Sequence, residues 1–179
     1  MTDKELMNEL EIAFGAMKKD LGFSASFEEL EKVLFLRDFI SKEGFVSSSL
    51  SRAVCRRMCD LYSGWVGYLH GLVVPAPHSM VSVTEAEAFN DDERNKIMHI
   101  IAETMAFISK NTVIGMTKDK AEEAKFIDEG LRFWNASFEP KMKEITRKAN
   151  QHWVEKSKSM KFEESKSIKA GIGSRNQRA

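Results

Sequence analysis

The chain has 179 residues, with 27 basic and 27 acidic side chains and an apolar fraction of 42%. This length and composition fit one globular domain that can bury a core without disulfide or metal support. They exclude a membrane helix, because the longest apolar run, 61–74, is interrupted and shorter than the roughly 20 residues required. The charge is uneven, since 1–139 carries a net −7 and 140–179 carries +7.

The cysteines and the N-terminus bear on cellular location. Cys55 and Cys59 are four residues apart, so on a helix they lie one turn apart on the same face, where a disulfide would be strained. The first residues lack the basic and then apolar layout of a signal peptide. We therefore expect a reducing, cytoplasmic setting.

Capping signals and apolar spacing predict the first two helices. A Thr-x-x-Glu capping box at Thr2 opens a helix that Gly22 ends. A second box at Ser26 opens another helix, which Gly44 ends. Apolar residues in both segments recur every three or four positions, which indicates a buried helical face.

The third helix is the segment around which we expect the fold to be organised. Serines at 47–49 are good caps before it, and Pro75 and Pro77 end it. Its apolar positions, from Leu50 to Leu72, make it the longest helix that the sequence predicts. A loop or short turn is expected to follow at 75–89.

Three further helices complete the predicted fold. Asn90 caps a helix that runs to about Lys110, Asp119 or Thr117 begins the next, and Pro140 begins the last. No segment shows the two-residue alternation of a strand. We therefore predict an all-α bundle of five to six helices in a domain at 1–157, with helix three at its centre.

The C-terminal residues differ in composition from the predicted bundle. Residues 158–179 are basic and poor in apolar side chains. Too little apolar surface is available there to offset the entropy of ordering, so a mobile tail is expected. Its lysines could contact nucleic acid, an anionic lipid surface or an acidic protein.

Small and aromatic residues share the end of helix three. Gly64, Gly67 and Gly71 recur at spacings of three and four, with Trp65 and Tyr68 between them. Each glycine destabilises a helix by about 1 kcal/mol relative to alanine. This cost favours a surface that another helix approaches closely, from this chain or from a second copy. The leading hypothesis is a non-enzymatic interaction module that self-associates through this face.

A second hypothesis comes from the turn before helix three. Residues 39–58 are predicted to form a helix, a glycine turn and a second helix, the layout of a helix-turn-helix DNA-binding motif. The acidic body of the chain opposes DNA binding. The second helix would begin with the hydroxyl and arginine side chains that contact phosphates and bases: Ser48, Ser49, Arg52, Arg56 and Arg57.

A third hypothesis is a small-ligand or metal-binding protein with a pocket near Cys59, Trp65, Tyr68 and His70. Two cysteines supply only part of the three or four ligands that a metal needs, and His70 is too distant on a straight helix. The sequence has no Walker loop, no His-Glu-x-x-His and no Glu-x-x-His pair. We therefore predict no cofactor, no metal and no catalytic residue, with Cys55 and Cys59 packing as small apolar side chains.

Overall fold

The computed structural model describes the backbone of residues 3–173 and the side chains of 4–159, and within these residues the fold is helical without strands. The helices are α1 (Asp3–Leu21), α2 (Phe27–Leu34), α3 (Leu36–Glu43), α4 (Leu50–Val73), α5 (Met80–Ala86), α6 (Asp91–Thr117), α7 (Lys120–Phe133) and α8 (Glu139–Gly173), with a π-helical turn at Trp134–Phe138. The all-α prediction is confirmed, whereas the count of five to six helices is not. No described helix is long and apolar enough to cross a membrane.

Phe35 divides the predicted second helix into α2 and α3. It adopts a left-handed conformation, with φ 52°, which is unfavourable for a side chain of this size. Its N–H donates to the Glu31 carbonyl oxygen at 2.9 Å and ends α2. The Glu31 carboxylate accepts a bond from the Arg37 N–H at 2.9 Å near the start of α3. Arg57 of α4 donates to the Leu34 carbonyl oxygen at 2.9 Å, so a distant residue helps to hold the break.

α4 contacts α1, α2, α5, α6 and α7. It begins after the predicted serines and ends before Pro75, but α6 and α8 are longer. Tyr62 of α4 is only 1% exposed, and its hydroxyl donates to the Gly130 carbonyl oxygen of α7 at 2.9 Å. Four aromatic rings surround Tyr62 with centroid distances of 5.1–5.9 Å: Phe107, Phe133, Trp134 and Phe138. These contacts place an aromatic cluster at the meeting point of α4, α6 and α7.

The second half of the chain follows the predicted helix starts more closely than the predicted ends. Asn90 and Glu93 form the predicted capping box of α6, and Asp119 caps α7 by accepting a bond from the Ala121 N–H at 2.8 Å. α6 continues to Thr117 instead of ending near Lys110. α5 occupies part of the segment expected to be a loop or short turn.

Two predictions fall wholly or partly outside the described residues. Thr2, which would open the first capping box, is not among them. The helical backbone of α8 continues to Gly173, but the side chains from 160 and the backbone from 174 lie outside. The mobility and the anionic contacts of residues 158–179 therefore stay predictions.

Candidate functional site

The predicted interaction face lies on the solvent side of α4. Gly64 and Gly67 are exposed, and Gly71 is partly exposed. A Cβ atom built on any of these glycines would have no described atom within 4 Å, apart from the backbone of its own helix and its chain neighbours. No described element of the chain therefore covers this face. The interpretation in which another helix of the same chain packs on the glycines is wrong for the described residues.

Trp65 and Tyr68 border the glycine face on the side of α5. Both are partly buried, and their ring centroids lie 6.1 Å apart in an edge-to-face arrangement. The Tyr68 hydroxyl donates to the Glu85 carboxylate of α5 at 3.2 Å. Burial, and then the nearby Glu85 carboxylate, raise the pKa of Tyr68 to about 12. These contacts hold the aromatic residues at the edge of an open helix surface.

A second exposed apolar surface, which was not among the predicted sites, runs along α6. Its large members are 44–79% exposed, and spacings of seven, eight and three place them on one helical face: Met98, Met105, Val113 and Met116. Ala102 and Ser109 on the same face are also exposed and uncharged. We call this the α6 methionine face. The sequence does indicate this face, because α6 carries apolar residues outside the buried stripe that contains Ile97 and Ile101.

The residues of the helix-turn-helix hypothesis are divided between surface and interior. α3 and α4 do flank the predicted turn, and three of the residues are exposed: Ser48, Ser49 and Arg56. Arg57 instead places its guanidinium carbon 5.6 Å from the centroid of the Phe39 ring. Arg52 is partly buried against α6. The start of α4 thus presents one of its three arginines freely to solvent.

Arg52 and Arg56 line a cleft of about 740 Å³ between the start of α4, the end of α6 and the start of α7. Serine, asparagine and threonine side chains supply further polar groups. The charged residues of the lining are four cations and one carboxylate: Arg52, Arg56, Lys118, Lys120 and Glu123. We call this the α4–α7 cleft, and its charges can attract an anion.

The carboxylate of the cleft is paired within the fold. Glu123 is 2% exposed and Ser51 is 3% exposed. The Ser51 hydroxyl donates to Glu123 Oε2 at 2.5 Å, and Lys120 Nζ donates to the same oxygen at 2.9 Å and to Ser51 Oγ at 3.0 Å. A buried carboxylate requires such partners. This network therefore joins α4 to α7 and offsets the charge of Glu123.

Both cysteines are free and buried, as predicted. Burial raises the pKa of Cys55 to about 12 and that of Cys59 to about 11. A thiol with such a pKa is protonated at neutral pH and is a poor nucleophile and metal ligand. Across the described residues, no group of three or more His, Cys, Asp and Glu side chains could hold a metal ion.

The four residues of the predicted pocket do not converge. Cys59 interacts with Asn111 of α6, whereas Trp65 and Tyr68 meet beside α5. His70 is exposed. Of this set, the structure brings together only the two aromatic residues.

Comparisons of the chain with models of known protein families, with curated proteins and with solved structures found no match. The function is therefore inferred from the surfaces of α4 and α6 and from the α4–α7 cleft.

Proposed function

We propose that this chain is a non-enzymatic helical interaction module that self-associates through the α4 glycine face. The face consists of Gly64, Gly67 and Gly71, with Trp65 and Tyr68 at its border. The observation that carries the proposal is that no other described element covers three helical glycines, of which two are exposed and one is partly exposed. Together they lower the stability of α4 by about 3 kcal/mol relative to alanine. Close approach of a second copy would offset this cost.

Glycine on a helix surface favours a partner helix more than other small residues do. Without Cβ atoms, the backbone of a second helix can approach to the short end of the usual 8–10 Å separation between helix axes. A two-fold axis would set the same face of both copies against each other, so one surface supplies both halves of the contact. The glycine spacings of three and four keep the bare strip on one side over two turns.

We propose that the α6 methionine face adds apolar area to the contact. α4 and α6 pack against each other as the most extensive helix pair in the described fold. Methionine side chains adapt to irregular surfaces, and their removal from water contributes to association. An exposed helical face made of uncharged residues, such as the α6 methionine face, is also typical of protein contact surfaces. The two faces together support association through the α4–α6 pair.

Sedimentation velocity of the full chain over a range of concentrations tests the proposal. Gly67→Leu places a large side chain at the middle of the face and should weaken the dimer at least about tenfold, a change that corresponds to 1.4 kcal/mol. Gly15→Leu is the matched control, because Gly15 is exposed on α1 and also has no neighbour within 4 Å. Leucine favours helix more than glycine does, so both variants should remain folded.

The experiment distinguishes three outcomes. Dimer formation in the wild type and in Gly15→Leu, with its loss in Gly67→Leu, supports self-association through α4. A wild-type chain that stays monomeric at all concentrations contradicts self-association. A dimer that persists unchanged in Gly67→Leu contradicts the role of the glycine face, and circular dichroism confirms that each variant is folded.

DNA binding by a helix-turn-helix has less support. The contact between Arg57 and Phe39 removes one arginine from the surface, and the net charge of −7 over 1–139 repels a polyanion. A ligand pocket near Cys59 has no convergent set of residues.

A further inference from the structure

We infer that the α4–α7 cleft binds the phosphate group of a small molecule. The inference is independent of self-association, because none of the glycine-face residues lines the cleft. It depends on the charge balance of the lining, on the fixed position of one arginine and on the concave shape of the site.

The positive charges of the cleft exceed its negative charge. Lys120 is the partner of the buried Glu123, so this pair is close to neutral. Arg56 and Lys118 form no ion pair with any residue that the structure describes. The nearby Asp119 carboxylate is directed to the N–H groups at the start of α7, where it caps the helix. The charges left over are those of two arginines and one lysine, Arg52, Arg56 and Lys118.

Arg52 is held in place by uncharged groups. Its Nη1 donates to Asn111 Oδ1 at 2.6 Å, and its Nη2 donates to the Asn111 carbonyl oxygen at 3.3 Å. These bonds orient the guanidinium without neutralising it. Since a guanidinium has five N–H donors in a fixed plane, donors remain for an anion. Arg52 can therefore bind a phosphate oxygen with little loss of side-chain entropy.

Gly115 allows this position of Arg52. A Cβ atom at residue 115 would lie 2.9 Å from Arg52 Nη2 and 3.2 Å from Arg52 Cζ. Any larger residue at position 115 would displace the guanidinium. Gly115 thus leaves room for the Arg52 side chain in the cleft. Neither the helical conformation of α6 nor the packing of the core requires a glycine at this position.

The start of α4 adds polar donors to the same cleft. Ser49 precedes the helix, and its side chain makes no capping hydrogen bond. The first turn of α4 carries no acidic residue. Ser49 and Arg52 both line the cleft, so the positive end of the helix dipole lies beside it and adds to the attraction of an anion.

The shape of the site favours a small phosphorylated molecule over a nucleic acid. The volume of about 740 Å³ is within the range of small-molecule pockets. Arg52 is partly buried and lines the cleft, a position that suits a single phosphate group better than the regularly spaced phosphates of a duplex. A phosphate with two negative charges matches three unneutralised cations better than a monovalent anion does.

Titration of the ¹⁵N-labelled full chain with sodium phosphate, followed by amide chemical shifts, tests the inference. Sodium chloride at matched ionic strength is the reference. Saturable shifts are expected at residues 47–53 and 111–120, which form the cleft. A nucleoside monophosphate, titrated separately, shows whether the site prefers an organic phosphomonoester to inorganic phosphate, and saturable binding of either one supports the site.

Variants connect the binding to the cleft. Arg56→Gln with Lys118→Gln should weaken phosphate binding by about tenfold or more, since charge-assisted hydrogen bonds are lost. Lys96→Gln with Arg132→Gln removes the same charge near the far ends of α6 and α7 and should leave the affinity unchanged. Gly115→Ala should weaken binding by about fivefold through displacement of Arg52.

Three results would overturn the inference. The first is a linear, unsaturated shift at all concentrations with both sodium phosphate and the nucleoside monophosphate. The second is equal affinity in the cleft variant and in the control variant. The third is duplex DNA binding that shifts the same amides while neither inorganic phosphate nor the nucleotide does so.

Discussion

Among the described glycines, Gly130 of α7 has the closest neighbours, and alanine at this position should destabilise the fold. A Cβ atom at Gly130 would lie 2.0 Å from Met58 Sδ and 2.8 Å from Phe107 Cζ. Met58 is 2% exposed, and the Phe107 ring stacks on Phe126 at a centroid distance of 4.2 Å. Both side chains must shift to admit the new methyl group. The strain should therefore spread to the aromatic cluster around Tyr62.

The expected magnitude follows from two opposing effects. Overpacking of a buried site costs about 3 kcal/mol at the upper end of its usual range. The higher helix propensity of alanine returns about 1 kcal/mol. We therefore expect Gly130→Ala to lower the free energy of unfolding by about 2 kcal/mol, measured by urea denaturation with circular dichroism.

A control and a second variant make the test specific. Gly15→Ala, at an exposed glycine without neighbours, should raise the free energy of unfolding by about 1 kcal/mol. Met58→Ala alone should create a cavity that costs about 2–5 kcal/mol. Combined with Gly130→Ala, it should cost less than the two changes summed, because the new methyl group enters the space that Met58 leaves. A Gly130→Ala protein as stable as the wild type would refute the reasoning.

Two further predictions concern a hydrogen-bonded loop and the buried thiols. The Asp128 carboxylate accepts hydrogen bonds from the Ser24 N–H at 2.8 Å and the Ala25 N–H at 2.9 Å. Asp128→Ala should therefore lower the free energy of unfolding by about 2 kcal/mol. An unchanged midpoint of urea denaturation would contradict this. The pKa values of Cys55 and Cys59, about 12 and about 11, lie above the ordinary 9.0. The protonated thiols contribute fully to the free energy of unfolding below pH 9. This contribution is lost as the pH rises from 9 through 11 to 12, because the thiols of the unfolded chain release their protons at lower pH than those of the folded chain. The alkaline decrease in unfolding free energy should be shallower in Cys55→Ala with Cys59→Ala, and an identical slope would rule out the thiols as its source.

The starts of several helices could be predicted from the sequence because helix caps are local. Ser26, Asn90 and Asp119 accept bonds from N–H groups two or three residues later. The break at Phe35 has no comparable signal. It depends on Glu31 and on Arg57, which approaches from another helix. Likewise, the final turns of α6 pack against Arg52, which sequence spacing cannot show.

Part of the candidate site could be predicted from the sequence, because that part depends only on local spacing. Helical spacing identifies the glycine face, since it depends on positions within one helix. Spacing cannot say what covers that face, and the structure shows that no described element does. The α4–α7 cleft could not be predicted, because Arg52 and Lys118 are far apart in sequence and meet only through the packing of α4, α6 and α7.

The π-helical turn at Trp134–Phe138 changes the direction in which one continuous apolar stripe is buried. A π turn holds more residues than an α turn, and one additional residue corresponds to about 100° of α-helical rotation. Ala124, Ile127 and Leu131 face the bundle before the turn, whereas Met142 and Ile145 are buried after it. α7 contacts α1, α2, α4 and α6, while α8 contacts α5 and forms ion pairs with α6. The π turn thus rotates the buried face of the helix between α7 and α8. A continuous helical segment can therefore pack against two different sets of helices without an intervening loop.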